Sequence, residues 1–371
     1  MMCRIIGPSF LHSTPEHLRS QATNIADNMA SKDAPKTMKA WQYSSTTGGI
    51  EKNLVLNDSV PIPTVSSRRG DAELLIQVVS ASINPADYKA PELGLVARAV
   101  IRTPATPGMD FCGRVVQTTE TVDDFAVGDL VFGRIDVQQY GTTAEYVVAP
   151  TKTCTPVPEG VSPDDAAAVG VAGITAYQTI APNVKSGDKV LINGGSGGTG
   201  TFGIQVAKAL GCHVTATCSP AKADLCRSLG ADEIIDYTST DVSQVLKAKG
   251  QVFSLVVDNA GLPANLYKAA DDFLLPTGKF VQVGGPLNFN AIKTVATRLL
   301  VPSFLGGGKR KYVMYNIGHS RDDLKQLGQW IAEKKIKVVV EETYELGDLP
   351  KAFEKLKTGR NAGKLVIHVG K

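Results

Sequence analysis

Six glycines fall between Gly194 and Gly203, in the run Asn193-Gly-Gly-Ser-Gly-Gly-Thr-Gly-Thr-Phe-Gly203. Within it, Gly195, Gly197 and Gly200 have G-x-G-x-x-G spacing, after an apolar stretch from Lys189 and before a helical pattern through Ile204, Ala207 and Leu210. In that setting one glycine makes a tight turn, a second lets backbone N–H groups approach a pyrophosphate at a helix N-terminus, and a third lets the helix pack on the sheet. The run therefore predicts a dinucleotide site, with Ser196, Gly197, Gly198, Thr199 and Gly200 around the phosphates. A nucleotide-triphosphate loop would need Lys after the last glycine, and Thr201-Phe202 stands there instead. The same run contains G-x-S-x-G as Gly194, Ser196 and Gly198. The competing reading is thus an α/β-hydrolase-like esterase with Ser196 as nucleophile, although no HGGG-type segment lies upstream.

The next strand decides between nicotinamide cofactors. An NAD-specific site places Asp or Glu about 20 residues on, at that strand's end, to accept from the ribose 2′-hydroxyl. This chain reads Thr217-Cys-Ser-Pro-Ala-Lys222 there, without a carboxylate. Ser219 and Lys222, with Tyr237 at the end of the following strand, suit a 2′-phosphate, so NADPH is the expected cofactor. A solvated helix lysine is the alternative for Lys222. Asn259, Gly284 and Gly285 follow two further strands, where an open α/β sheet binds its ligand.

The elements that hold these residues are legible in outline. From Met38 to Ala149 short alternating apolar runs are broken by Gly, Pro and Asp, the pattern of a loop-rich β region. At Ser162-Pro163-Asp164 a capped helix opens. Strands at Lys189–Ile192, His213–Cys218, Glu233–Asp236, Ser254–Val257 and Lys279–Val283 then alternate with helices, which means a parallel, doubly wound sheet. A last unit reads as strand Val338–Val340, helix Pro350–Lys357 and strand Leu365–Val369. Residues 1–37 lack hydrophobic periodicity and are expected to be a disordered tail.

Composition sets the outer limits. The 371 residues suggest two domains, and the formal net charge of +3 is too small for binding nucleic acid or anionic lipid by charge alone. The basic cluster Lys309-Arg310-Lys311 reads as a solvated turn. No run reaches the about 18 apolar residues of a membrane span. Six cysteines without a CxxC pair fit a reducing, cytoplasmic setting. Arg4 and Arg19 leave a mitochondrial presequence as the alternative, against which Glu16, Asp27 and Asp33 argue. Five histidines without HxxxH spacing predict no metal site.

From Met38 to Lys371 the chain resembles the medium-chain dehydrogenase/reductase superfamily. The likeness is carried by the glycine run and by Ser82-Ile-Asn-Pro-Ala-Asp-Tyr-Lys89, Pro107-Gly-Met-Asp-Phe-Cys-Gly113, Gly128-Asp-Leu-Val-Phe-Gly133, Ala172-Gly-Ile-Thr-Ala-Tyr177, Leu229-Gly-Ala-Asp232 and Gly363-Lys-Leu-Val366. It is greatest to the zinc-lacking quinone oxidoreductase and enoyl reductase branch, which includes mitochondrial reticulon-interacting oxidoreductases. The resemblance implies an α/β fold: a GroES-like β domain (38–160 and 336–371) and an inserted Rossmann doubly wound parallel sheet (161–335), with cofactor and substrate in the cleft. Zinc-dependent members carry Cys in the loop that here reads Ile83-Asn84-Pro85, and His-Glu where this chain has Met109-Asp110. Neither Asn84 nor Met109 can make that zinc site.

Without a Lewis acid to polarise an alcohol or ketone oxygen, hydride transfer to an activated C=C of an enone or enoyl substrate, or to a quinone, is favoured. Tyr88 and Asn84 are the expected donors to the carbonyl oxygen on which charge develops. A core or rim aromatic is the alternative for Tyr88, and a turn cap for Asn84. By resemblance Thr175 lies near the nicotinamide, and Lys364 is a cofactor contact, with a solvated lysine as its alternative. Tyr312 and Tyr315, after Gly306-Gly-Gly308, are placed in the substrate pocket or on an edge strand at a dimer contact. A homodimer is the family expectation and a monomer the alternative. A protein that holds NADPH without turnover is the third functional reading.

Overall fold

The computed structural model describes residues 35–370 apart from 67–71, 121, 140, 287–288 and 302–307. Residues 1–34, most of the expected tail, lie outside it, and Thr37 already belongs to the first strand. Strands β1 (Thr37–Gln42) and β2 (Val55–Pro61) form an antiparallel ribbon. Next come β3 (Glu73–Ile83), β4 (Asp110–Thr118), β5 (Leu130–Arg134), β6 (Tyr146–Pro150) and β7 (Cys154–Pro156). The alternating half of the chain supplies β8 (Lys189–Asn193), β9 (His213–Cys218), β10 (Glu233–Asp236), β11 (Phe253–Asp258), β12 (Leu274–Gln282) and β13 (Lys311–Met314). Strands β14 (Val340–Glu345) and β15 (Lys364–His368) close the chain.

Strands β8 to β13 form one parallel sheet in the order β10-β9-β8-β11-β12-β13. Strands buried on both faces read as unbroken apolar runs, as Val190–Ile192 and Leu255–Val257 do. The order reverses at β8, so the ligand crevice opens at the carboxyl ends of β8, β9 and β11. The second sheet runs β14-β15-β3-β4-β5-β7, with β6 also on β3. It takes strands from both ends of the chain, because β15 lies antiparallel to β3.

Phe132 of this second sheet belongs to the same buried cluster as Ile192, Phe202 and Leu327, so an apolar core runs between the two sheets. Polar contacts tie the helix after β7 to this second sheet. Ser162 caps the helix Pro163–Ala167 by accepting from Asp165 N, and Asp164 on that helix accepts from Ser80 Oγ and pairs with His368 Nε2 at 2.8 Å.

The Asp164 carboxylate raises the pKa of His368. A raised folded-state value means that the stabilisation is complete below the ordinary imidazole value of about 6.5 and is lost as pH climbs through the raised one. The His368→Gln substitution should therefore lower Tm by roughly 1–2 °C near pH 6 and by less near pH 9, read by thermal melts at both; the pair is too exposed for more.

Among the described residues no helix is long and apolar enough to cross a membrane. Arg310 is not the solvated residue expected, since its guanidinium donates to Leu274 O and Asp271 O. The strand expected at Val338–Val340 begins at Val340 and continues to Glu345.

Candidate active site

Strand β8 ends at Asn193, and the chain turns at Gly194 with φ +79°. Gly194 N donates to Thr217 Oγ1 and Gly195 N to Thr217 O, which pins the turn to β9. A Cβ at Gly200 would run into Gly194 O, so only glycine lets the helix Gly198–Ala209 start this close to the strand. The first intrahelical bond there is Thr201 N to Gly197 O. No side chain caps this N-terminus, and no acid stands in its first turn. The N–H groups of Gly198, Thr199 and Gly200 are thus free of intrahelical partners, a cradle fitted to a diphosphate.

The cradle faces the other sheet. Gly363 N donates to Ser196 O at 2.9 Å, and a Cβ at Gly198 would stand 3.0 Å from Lys364 Cδ. As for Ser196 as a nucleophile, His319 bonds Asp136 and His368 bonds Asp164.

At the crevice end Asn259 has both side-chain polar atoms, Nδ2 and Oδ1, buried without a partner among the described residues. Leaving a buried amide unpaired is costly, and this pair fits a ligand with its own donor and acceptor, as the nicotinamide carboxamide is. Beside it, a Cβ at Gly284 would strike Asn259 O. Asp258, just before, is buried; it accepts from Asn193 Nδ2, Ala260 N and Gly261 N, and burial raises its pKa.

The 2′-phosphate set is more dispersed. Ser219 and Lys222 share one turn, with Lys222 N donating to Ser219 O. Tyr237 is 57% exposed. The solvated alternative for Lys222 gives way to an ion pair with Glu341 Oε1 at 3.4 Å.

The carbonyl-donor reading of Asn84 changes most. Its Nδ2 donates to Asp110 Oδ2 at 2.8 Å, and its Oδ1 accepts from Lys364 Nζ at 2.5 Å. Lys364 is 2% exposed, so its solvated alternative is overturned; the ammonium pairs with Asp110 at 3.1 Å. Asp110, fully buried, also accepts from Ser82 Oγ and, through Oδ1, from Val171 N. That last bond needs Gly170, because a Cβ there would meet Asp110 Oδ1. Asn84 thus positions Lys364 and Asp110.

Asn84 also opens the helix Pro85–Lys89, its N–H donating to Asp87 Oδ2 at 2.6 Å. Burial, and then the charge of Asp110, push Asp87 up to about 8. Tyr88 packs on the core of the second sheet with Lys357 Nζ 5.4 Å above its ring, which favours the rim-aromatic alternative.

Two residues escaped the sequence reading although both stand in quoted motifs. One is Asp110. The other is Lys89, whose Nζ crosses between the sheets to donate to Gly285 O at 2.9 Å and whose pKa burial lowers.

Thr175 is buried in the helix Gly170–Ile180. Tyr315 donates to Gln178 Oε1 on that helix. Tyr312 lies on edge strand β13, its ring stacked on Phe280 and tilted against Tyr267, and donates to Gln282 Oε1. Its hydroxyl is committed, so the edge-strand alternative describes it better than a pocket lining. Gln282 Nε2 in turn donates to Gly284 O, which ties Tyr312 to the glycine turn beside Asn259.

The zinc implied by the wider family does not fit here. An amide and a thioether, Asn84 and Met109, replace its ligands, and the Lys364 ammonium already holds Asn84 and Asp110.

Comparison with known proteins agrees with this geometry. Residues 70–159 match the alcohol dehydrogenase GroES-like domain, and residues 229–367 the model named zinc-binding dehydrogenase. A trans-enoyl reductase of Aspergillus terreus is 45% identical over 90% of this chain and 97% of its own. A chloroplastic quinone-oxidoreductase homologue of Spinacia oleracea is 31% identical over 90% of this chain and 99% of its own. The solved quinone oxidoreductase of Coxiella burnetii superposes with a TM-score of 0.77 at 30% identity, covering 90% of this chain and all of that one. A GroES-like domain, a Rossmann sheet and these relatives make the chain an oxidoreductase that belongs to the medium-chain dehydrogenase/reductase superfamily.

Proposed function

We propose that this protein is an NADPH-dependent, zinc-independent reductase of an activated C=C, in an enone or enoyl thioester, with quinones as a second acceptor class. The observation that carries the reading is Lys89, a half-buried ammonium that spans the cleft to Gly285 O. Bound NADPH would supply the hydride. The uncapped helix at Gly198, with Ser196, would hold its diphosphate, Asn259 its carboxamide, and Ser219 with Lys222 its 2′-phosphate.

Reduction of an enone places negative charge on the carbonyl oxygen and then needs a proton at the α-carbon. A cation in a dry cleft stabilises that charge. Lys89, made more acidic by burial, can give one N–H proton to the α-carbon and be reprotonated from water. Lys364 and Asp110 keep the loop carrying Asn84 and Lys89 against the nucleotide cradle. The trans-enoyl reductase named above, at 45% identity, supports enoyl over quinone substrates. A small-molecule substrate and the homodimer expected from the family complete the reading.

The test is NADPH oxidation with enones, enoyl thioesters, quinones and saturated ketones. Turnover of the first two classes and none of ketones is expected; ketone reduction alone would reject the reading. The Lys222→Ala variant should bind NADPH about 10- to 100-fold more weakly with little change for NADH, by calorimetric titration.

A further inference from the structure

The ion pair on Lys222 reaches across the molecule. Lys222 ends the turn Pro220–Lys222 after β9, whereas Glu341 lies on β14 of the other sheet, 119 residues away. Glu341 is delivered there by a bulge. Val340 pairs with Lys364 and Glu342 with the next residue, Leu365, so Glu341 is the extra residue on β14. Bulges re-aim a side chain, and this one turns a carboxylate toward the nucleotide sheet.

The same stretch abuts the glycine cradle, because Lys364 N donates to Val339 O and Gly363 N to Ser196 O. Around the carboxylate stand two cations, Lys222 Nζ at 3.4 Å and Lys355 Nζ at 3.7 Å, both long for charge-assisted bonds. Glu341 Oε2 is buried with no hydrogen-bond partner among the described residues. The acid is therefore loosely held, and Lys355 remains as its counter-ion if Lys222 leaves.

We propose that Glu341 is a specificity-determining residue: it holds Lys222 when no 2′-phosphate is present and so sets how strongly the protein prefers NADPH to NADH. The inference rests on the assignment of Lys222 to the 2′-phosphate. A 2′-phosphate must take Lys222 from Glu341, whereas a 2′-hydroxyl need not. NADPH affinity thus carries a cost that NADH affinity escapes, and the natural preference is weaker than Ser219 and Lys222 alone would give.

Calorimetric titration of the full chain with NADPH and with NADH tests this. Glu341→Gln should tighten NADPH about three- to tenfold while NADH stays within about twofold, the size expected from one removed charge near the surface. In a Lys222→Ala background the same substitution should change NADPH binding by less than about twofold. Glu341→Asp, which keeps the charge on a shorter arm, should fall between wild type and Gln, and it guards against a folding defect in the Gln variant. An equal gain for both cofactors, no gain, or a gain that survives loss of Lys222 would overturn the proposal. A wild-type preference for NADH would instead overturn the assignment of Lys222, and the wild-type titrations alone reveal it.

Discussion

Lys89→Met is expected to lower turnover of an enone or enoyl thioester about 100-fold or more, the usual worth of a positioned general acid. NADPH affinity should change little, because the cradle at Gly198 and the turn at Ser219 do not contain Lys89. Burial lowers the pKa of this ammonium, so wild-type turnover should fall on the alkaline side as the group loses its proton, at a pH below that of an ordinary lysine. In the Met variant that alkaline limb should disappear. A merely structural Lys89, needed only for its bond to Gly285 O, would change Tm and leave the shape of the pH profile intact. Measuring kcat against pH for both proteins separates the two roles.

Asp110→Asn should be the most damaging single substitution for stability. The carboxylate gathers Lys364 Nζ, Asn84 Nδ2, Ser82 Oγ and Val171 N, and both charged partners are almost fully buried. Removing one member of a buried ion pair leaves the other charge without compensation and typically costs about 3–5 kcal/mol. For a chain of this size that is a fall in Tm of about 4–7 °C. Replacing both charges, as Asp110→Asn with Lys364→Met, should recover much of the loss, since an uncharged pair leaves no orphan. Thermal melts of the two singles and the double measure this coupling. If the double is as unstable as the sum of the singles, the pair does not act as one unit in holding the Asn84 loop.

Lys89 and Asp110 both stand in segments that the sequence marks, yet neither residue's role is written there. The glycine turn and strands β8 and β11 beside it are legible because local chemistry dictates them: a tight turn needs glycine, and a strand buried on both faces must be apolar throughout. Edge strand β14 runs later than the sequence predicts because its letters, Val340-Glu-Glu-Thr-Tyr-Glu345, are those of an exposed, charged edge, whereas the apolar triplet Val338–Val340 has the look of a strand. Strand β12 starts earlier than the sequence predicts, because Pro276 and Gly278 break the apolar pattern of its first half.

The site suffered for a different reason. Lys364 lies 254 residues from Asp110, and Glu341 lies 119 from Lys222. No periodicity or motif encodes such pairings; they arise only when β15 docks on β3 and β14 on β15. The sequence marks Asn84 as a donor to substrate, but its amide is committed to Asp110 and Lys364, partners that only this docking supplies, so it positions Lys364 instead. Lys89 was missed because a lysine at a helix end is ordinary until a carbonyl of another sheet is found against it.

The most direct test of the account follows the hydride itself. NADPH deuterated at C4 should deliver its label to the β-carbon of an enone or enoyl thioester, with a solvent proton at the α-carbon, as mass spectrometry and NMR of the product would show. Deuterium on the former carbonyl carbon, giving an allylic alcohol, would contradict it.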